Sequence, residues 1–179
     1  RRRQMGYSIA WVAIRGTPLD QALIAAGLSG TSTFAEFASK PFTGQALQNG
    51  WYLLVAKGCD SPLIASKVLA ELSSNGQVIA CSIEEHVMFS SAEFWQGGQN
   101  LWKVEHSSEK GLRHIHSTGS PPTSLKEVVA EANREYARAN NTLGTPYFTY
   151  QFSLHSNPED LLRYIDRARF TVQYKGELL

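Results

Sequence analysis

The stretch from Glu93 to His116 reads EFWQGGQNLWKVEHSSEKGLRHIH. It contains two of the chain's four tryptophans and three of its five histidines, so it bears on both the fold and the candidate binding site. Gly97-Gly98 predicts a tight turn that leads into a strand over Leu101 to Glu105. The polar segment Ser107 to Gly111 predicts a loop, and Leu112 to His116 predicts the strand that returns from it. Two consecutive β-hairpins are therefore predicted, as is typical of a mainly antiparallel sheet.

The segment just before this stretch is ambiguous. Ser90-Ser91-Ala92-Glu93 matches the capping box of a helix start, whereas Phe94 and Trp95 favour a strand. Elsewhere, Asn49-Gly50 predicts a hairpin turn between two strands. Runs of β-branched, aromatic and other apolar residues predict strands over Tyr7 to Arg15, Trp51 to Ala56, Val78 to Ile83 and Tyr147 to Leu154, with a short strand or extended tail over Phe170 to Tyr174.

Helices are predicted where a capping residue precedes apolar residues at helical spacing. The predicted helices are Thr17 to Ala26, Phe34 to Ser39, Pro62 to Ser74, Leu125 to Ala139 and a last one that opens at Asn157-Pro158. Thr17 is the expected N-cap of the first, and Asp60 or Ser61 that of the helix at Pro62. Ser124 and Glu127 form a capping box at the start of the fourth.

The order of these elements predicts the fold class. Hairpins dominate and helices alternate with them, which predicts one α+β domain with a mixed, mainly antiparallel sheet and helices covering one face. A length of 179 residues suits a single domain with a sizeable core. We interpret Met5 as the native start, so that the domain spans residues 5–179 and residues 1–4 are upstream sequence.

Composition excludes several classes of function. Without the three N-terminal arginines the chain has 14 basic and 16 acidic side chains, from totals of 17 and 16, and no basic cluster that predicts nucleic-acid binding. No apolar run is long enough to predict a membrane span. Cys59 and Cys81 fit no metal-binding or redox spacing. The sequence therefore predicts a cytoplasmic protein with reduced cysteines and no cofactor.

Three histidines offer the clearest candidate for chemistry. His114-Ile115-His116 places two imidazoles on one face of a strand, and His106 lies across the predicted loop from them. Three histidines with an open fourth position can hold a catalytic zinc ion. The competing interpretation is the polar outer face of a hairpin. A second candidate is Glu84-Glu85-His86, which could serve acid–base chemistry or be a solvated strand end.

The aromatic residues of the opening stretch support a different hypothesis. Trp95 and Trp102 flank the Gly97-Gly98 turn, where they could pack in the core or present an aromatic patch. An aromatic patch with arginine or histidine nearby is the usual composition of a protein-binding hot spot. The sequence therefore predicts a partner surface formed by Trp95, Trp102, His106, Glu85 and His86.

Part of the chain also resembles a family of small, uncharacterised bacterial proteins. The resemblance rests on the start GYSIAWVAIR (Gly6 to Arg15), the core EEHVMFSSAEFWQGGQNLWKVEH (Glu84 to His106) and the segment G-x-x-x-x-x-S-T-G-S-P-P (Gly111 to Pro122), and it covers Met5 to Leu154. These proteins are similar in kind to immunity or accessory proteins of bacterial toxin systems. The resemblance implies a protein-binding module; the alternative is a metal-assisted hydrolase that uses His106, His114 and His116.

Overall fold

The computed structural model describes residues 8–31, 33, 40–47, 50–111, 113–131 and 133–134. Seven strands lie within them: β1 (Ser8–Arg15), β2 (Phe42–Ala46), β3 (Trp51–Lys57), β4 (Gln77–Glu84), β5 (Phe89–Gln96), β6 (Gln99–Ser107) and β7 (Ile115–Gly119). They form one sheet in the order β2-β3-β1-β4-β5-β6-β7. Every neighbouring pair in it is antiparallel.

The apolar run of β1 is explained by its central position in the sheet. β1 pairs with β3 on one side and β4 on the other, so that Trp11 lies between Val55 and Cys81. Residues 9–14 are all buried. A strand that is covered on both faces has no solvent side, which removes the usual alternation of polar and apolar residues.

Both faces of the sheet carry a hydrophobic core. Val12, Leu54 and Val78 belong to the face that packs against the first two helices, α1 (Leu19–Ala25) and α2 (Ser66–Leu72), here called the α1/α2 face. Trp11 and Ile79 belong to the opposite face. Neighbouring residues of each central strand thus contribute to different cores, as the two-residue period of a strand requires.

Two helices pack on the α1/α2 face. α1 (Leu19–Ala25) buries Ala22, and α2 (Ser66–Leu72) buries Leu69 and Leu72, three residues apart on one side of the helix. Leu69 and Leu72 have no exposed surface, and burying each contributes roughly 1.5–3 kcal/mol. This burial, rather than local propensity, stabilises a helix of only two turns.

A third helix lies on the opposite face. Residues 125–131 and 133–134 are helical, and Val128 packs in the same core cluster as Trp11 and Trp102. Described helical residues therefore contact both faces, and the prediction that the helices cover one face is not confirmed. The predicted start at Leu125 is confirmed by the structure.

The helix predictions hold in position but not in every detail. Thr17 is not an N-cap, because its hydroxyl donates to the carbonyl of Leu72 at 2.9 Å and the capping position belongs to Pro18. The predicted helix from Pro62 to Ser74 is divided into a 3-10 turn (Pro62–Ile64) and α2, with Ala65 extended between them. The predicted cap at Ser61 is confirmed, since its hydroxyl accepts from the Leu63 amide at 3.3 Å.

The strand predictions are confirmed with shifted ends. The ambiguous segment before Gly97-Gly98 is strand β5, and the predicted loop from Ser107 to Gly111 contains a short 3-10 turn at Ser108–Lys110. The returning strand β7 begins three residues later than predicted. The predictions for Phe34 to Ser39, Tyr147 to Leu154, the helix at Asn157-Pro158 and Phe170 to Tyr174 lie outside the described residues. No helix within the described part of the chain is long and apolar enough to cross a membrane.

Candidate functional site

The three histidines predicted to bind zinc do not converge. His106 pairs with Ile115 between β6 and β7, whereas His116 pairs with Glu105. Because adjacent residues of a strand project to opposite sides, the His106 and His116 rings lie on opposite faces of the sheet. His114 meets His106 through its backbone, whose carbonyl oxygen accepts a hydrogen bond from Nδ1 of His106 at 2.8 Å. The described residues contain no group of three side chains that could hold a metal ion.

His106 is a buried residue of the sheet. Its side chain is 2% exposed, and burial lowers its pKa below the usual range for histidine. Since a carbonyl oxygen only accepts, Nδ1 of His106 carries the proton in its bond to His114. The neutral ring thus fastens the chain just before β7 to β6. This arrangement explains His106 as a structural residue of the second hairpin.

Trp95 and Trp102 are core residues on opposite faces of the sheet. Trp95 is 8% exposed and belongs to the α1/α2 face, where its indole N–H donates to Oε2 of Glu93 at 3.0 Å. Trp102 is 4% exposed and stacks on Phe94, with ring centroids 6.1 Å apart, in the opposite core. The two indoles therefore do not form one aromatic patch.

Glu85 and His86 lie in the turn between β4 and β5, where His86 is exposed and Glu85 half-buried. Nδ1 of His86 is 2.5 Å from Oε1 of Glu84, and the backbone N–H of His86 donates to the same oxygen. Partial burial alone would raise the pKa of Glu84, but the hydrogen bonds from Ser8 and His86 lower it below its usual value. The turn is thus a local polar network that leaves Glu85 and His86 on the surface.

Cys59 borders this network without the properties of a nucleophile. Its thiol donates to Oε2 of Glu84 at 3.6 Å, and its carbonyl oxygen accepts from the hydroxyl of Ser82 at 2.6 Å. Burial, together with the charge of Glu84, raises the pKa of the Cys59 thiol. The reactive thiolate is therefore disfavoured at neutral pH.

A concave feature lies elsewhere among the described residues, at the β2 end of the sheet. A cleft of about 500 Å³ lies between the end of α1, the loop that follows it and strands β2 and β3. Leu23, Leu28, Phe42 and Leu54 supply apolar walls, and Tyr52 borders it. A mostly apolar concavity of this volume is typical of ligand-binding and partner-binding sites.

The base of the cleft depends on a glycine in β2. Gly44 pairs with Leu54, and a Cβ atom at Gly44 would lie 2.5 Å from the Tyr52 hydroxyl and 3.1 Å from a Leu54 methyl group. The Tyr52 side chain therefore occupies the space that a side chain at this position would fill. Burial raises the pKa of Tyr52, so its phenol remains a hydrogen-bond donor at neutral pH.

The rim of the cleft has two features that distinguish it from ordinary surface. Phe42 lines it with 39% of its surface exposed, although aromatic residues of this size are usually better buried. Lys40 is the one charged residue among the described residues that line the cleft, which include no carboxylate. The cleft therefore offers apolar surface, a phenol donor and one cation, which suits a neutral or acidic ligand with apolar groups.

Comparisons of the chain with protein-family models, with curated proteins and with solved structures gave no match. The candidate site is therefore defined by its geometry. Sequence reasoning did not find it, because the cleft is formed by residues from α1, β2 and β3 that are each unremarkable in the sequence. The one sequence signal was Gly44 inside a predicted strand, since an interior glycine often marks close approach of another group.

Proposed function

We propose that this protein is a cytosolic protein-binding module and that the cleft beside β2 receives part of its partner. The observation that carries the proposal is Phe42, a large aromatic side chain left 39% exposed at the edge of a mostly apolar concavity. Aromatic residues at the border of such pockets are the usual anchors of protein interfaces. Two neighbouring residues of α1 extend this apolar surface: Leu23 lines the cleft, and Ile24 next to it in the chain is 75% exposed.

The predicted contacts Glu85 and His86 are compatible with this surface. They follow β4 at the end of the sheet where β2 begins, because Ser8 pairs with Glu84 and Ala56 with Phe42. β2 and β4 are three strand spacings apart, or about 14 Å. A protein partner that covers the cleft can therefore also reach this turn, as a small ligand could not.

Two further observations support the finer parts of the proposal. Cys59 and Cys81 are both unpaired thiols, which suits the reducing cytosol. The resemblance to small bacterial proteins that are similar in kind to immunity or accessory proteins suggests a partner from a toxin system. The hydrolase alternative is less well supported, because it needs His106, His114 and His116 around one ion, whereas His106 and His116 lie on opposite faces of the sheet.

The test is a comparison of two surface substitutions that are matched in exposure. Phe42→Glu places a charge at the cleft, while Leu101→Glu changes a residue that is 40% exposed on β6, four strands from β3. Immobilised wild-type protein and both variants would be incubated with cytosol from the native source, and the captured proteins would be quantified by mass spectrometry. Both variants must first show the wild-type circular dichroism spectrum.

We expect a partner that wild type and Leu101→Glu retain equally and that Phe42→Glu retains at least tenfold less. Equal capture by all three proteins would show that the cleft is not the binding surface. A cytosol in which wild type captures no saturable partner would contradict the proposal as a whole.

A further inference from the structure

We propose, resting on the proposed function, that the partner supplies an extended segment that pairs with β2 as an added strand and places an apolar side chain over Gly44. The inference concerns the chemistry of the partner, because backbone pairing requires a segment that is neither helical nor tightly folded. It rests on the outward edge of β2 within the described residues, on the Tyr52 ring that covers Gly44 and on the cleft beside them.

The hydrogen bonds of β2 show which of its backbone groups face outward. At the two ends of the hairpin, the Leu47 amide donates to Trp51 and the Lys57 amide donates to Pro41. Hydrogen-bonded pairs alternate along an antiparallel ladder, so Thr43 and Gln45 also bond to β3. The N–H and C=O groups of the residues between them therefore point away from the sheet, namely those of Phe42, Gly44 and Ala46.

These outward groups form an unprotected edge within the described part of the chain. β2 is the terminal strand of the sheet, and none of its three outward residues bonds a described residue outside the ladder with β3. Protected edges usually carry a charged residue, a proline or a bulge, and Phe42–Ala46 contains none of these. Three N–H and three C=O groups are thus available to an incoming strand.

Gly44 determines which side chain the incoming strand should carry. Gly44 has no side chain, so the residue of an added strand that lies opposite can lean across β2 on the α1/α2 face. There it would meet the Tyr52 ring and Leu54, and its neighbours two positions away would flank Phe42 and Ala46. The surface that it covers is mostly apolar, which favours an apolar residue at this position with others at alternate positions.

Charge and symmetry favour a different chain over a second copy of this chain as the partner. Symmetric antiparallel pairing of two β2 strands about their centres would place Gly44 opposite Gly44 and leave the cleft unfilled. A different chain can place a side chain opposite Gly44, where it would contact the Tyr52 ring and Leu54. Lys40, immediately before Pro41 and β2, has no carboxylate beside it among the lining residues, so an acidic residue near one end of the segment complements the site.

The experiment uses a defined probe, a phage-displayed library of random ten-residue peptides, selected on the immobilised protein. We expect enriched peptides with apolar residues at alternate positions. One such peptide would then be synthesised, and its affinity for wild type, Ala46→Pro, Phe42→Glu and Leu101→Glu would be measured by fluorescence anisotropy. Ala46→Pro removes an outward N–H and blocks the edge, but it removes no bond between β2 and β3.

We expect Ala46→Pro to weaken peptide binding at least tenfold and Leu101→Glu to leave it unchanged. A second measurement leaves the protein intact: N-methylation of the peptide should abolish binding at the alternate residues that face β2 and have less than a threefold effect at the residues between them. This measurement decides the question if Ala46→Pro does not fold.

The failures of the two proposals are distinguishable. Binding that is lost with Phe42→Glu, but insensitive to Ala46→Pro and to N-methylation, overturns strand addition and retains the cleft. Binding that is insensitive to Phe42→Glu overturns the cleft as well. A library that yields no binder overturns strand addition by a peptide segment. If the wild type is then a dimer in sedimentation that Ala46→Pro dissociates, the β2 edge belongs to a second copy instead.

Discussion

Ser82 and Ser90 give a direct test of how polar groups are buried in the sheet. They lie on the neighbouring strands β4 and β5, and are 3% and 0% exposed. The hydroxyl of Ser82 donates to the carbonyl of Cys59 at 2.6 Å. The hydroxyl of Ser90 is buried and has no hydrogen-bond partner among the described residues. The same substitution, serine to alanine, should therefore change stability in opposite directions at the two positions.

The magnitudes follow from the two environments. Ser82→Ala removes one buried hydrogen bond, which costs about 1 kcal/mol of the free energy of unfolding. Ser90→Ala removes a buried hydroxyl whose lost solvation costs roughly 1–3 kcal/mol and is not repaid by a hydrogen bond. Removing the hydroxyl removes this cost, but it also removes the van der Waals contacts of the oxygen atom. We therefore expect Ser90→Ala to be more stable than wild type by about 1 kcal/mol.

The assay is urea denaturation followed by tryptophan fluorescence. With a slope of about 2 kcal/mol per molar urea, Ser82→Ala should lower the midpoint by about 0.5 M and Ser90→Ala should raise it by a similar amount, without a change of slope. If Ser90→Ala lowers the midpoint as much as Ser82→Ala does, the Ser90 hydroxyl is hydrogen-bonded in the folded protein and the reasoning is wrong.

Two further predictions concern titration and packing. Burial lowers the pKa of His106 in the folded protein. The stability that depends on the neutral ring is therefore fully present above the usual histidine pKa of about 6.5 and is lost as the pH falls through the lower folded pKa. His106→Asn keeps a donor for the carbonyl of His114, so it should flatten this part of a plot of urea midpoint against pH. Gly76→Ala should lower the free energy of unfolding by about 2 kcal/mol or more, because a Cβ there would overlap the carbonyl oxygen of Arg15. In the control Gly30→Ala, the new Cβ would meet only a Leu23 methyl group at 3.8 Å, so the free energy of unfolding should change by less than about 0.5 kcal/mol. Thermal or urea unfolding measures both.

The local parts of the fold could be predicted from the sequence because their causes are local. Gly97-Gly98 marks the turn between β5 and β6, where both glycines have positive φ. The apolar runs of β1, β3 and β4 gave strands at their predicted positions, since a strand that is buried on both faces needs such a run. The caps were less reliable: Ser61 caps as predicted, whereas the hydroxyl of Thr17 bonds to Leu72, 55 residues away.

The positions of the predicted site residues depended on contacts between distant elements. Sequence spacing placed His114 and His116 on one strand face, but β7 begins only at Ile115, so His114 precedes the strand and His116 lies opposite to His106. Trp102 pairs with Phe94 across β5 and β6, and Trp95 follows Phe94 on β5, so Trp95 and Trp102 project into different cores. A shift of one residue moves a side chain to the other face, and sequence periodicity alone does not fix that register.

The sequence by itself determined the antiparallel hairpins and the helices that follow apolar stripes. These features depend on residues within a few positions of one another, where turn chemistry and side-chain period act directly. Only the tertiary structure decided that β1 lies between β3 and β4, that β2 is the outermost of the described strands and that a cleft opens beside Gly44. Those features depend on which strands pair and which helix covers them, and this is set by the packing of the whole core.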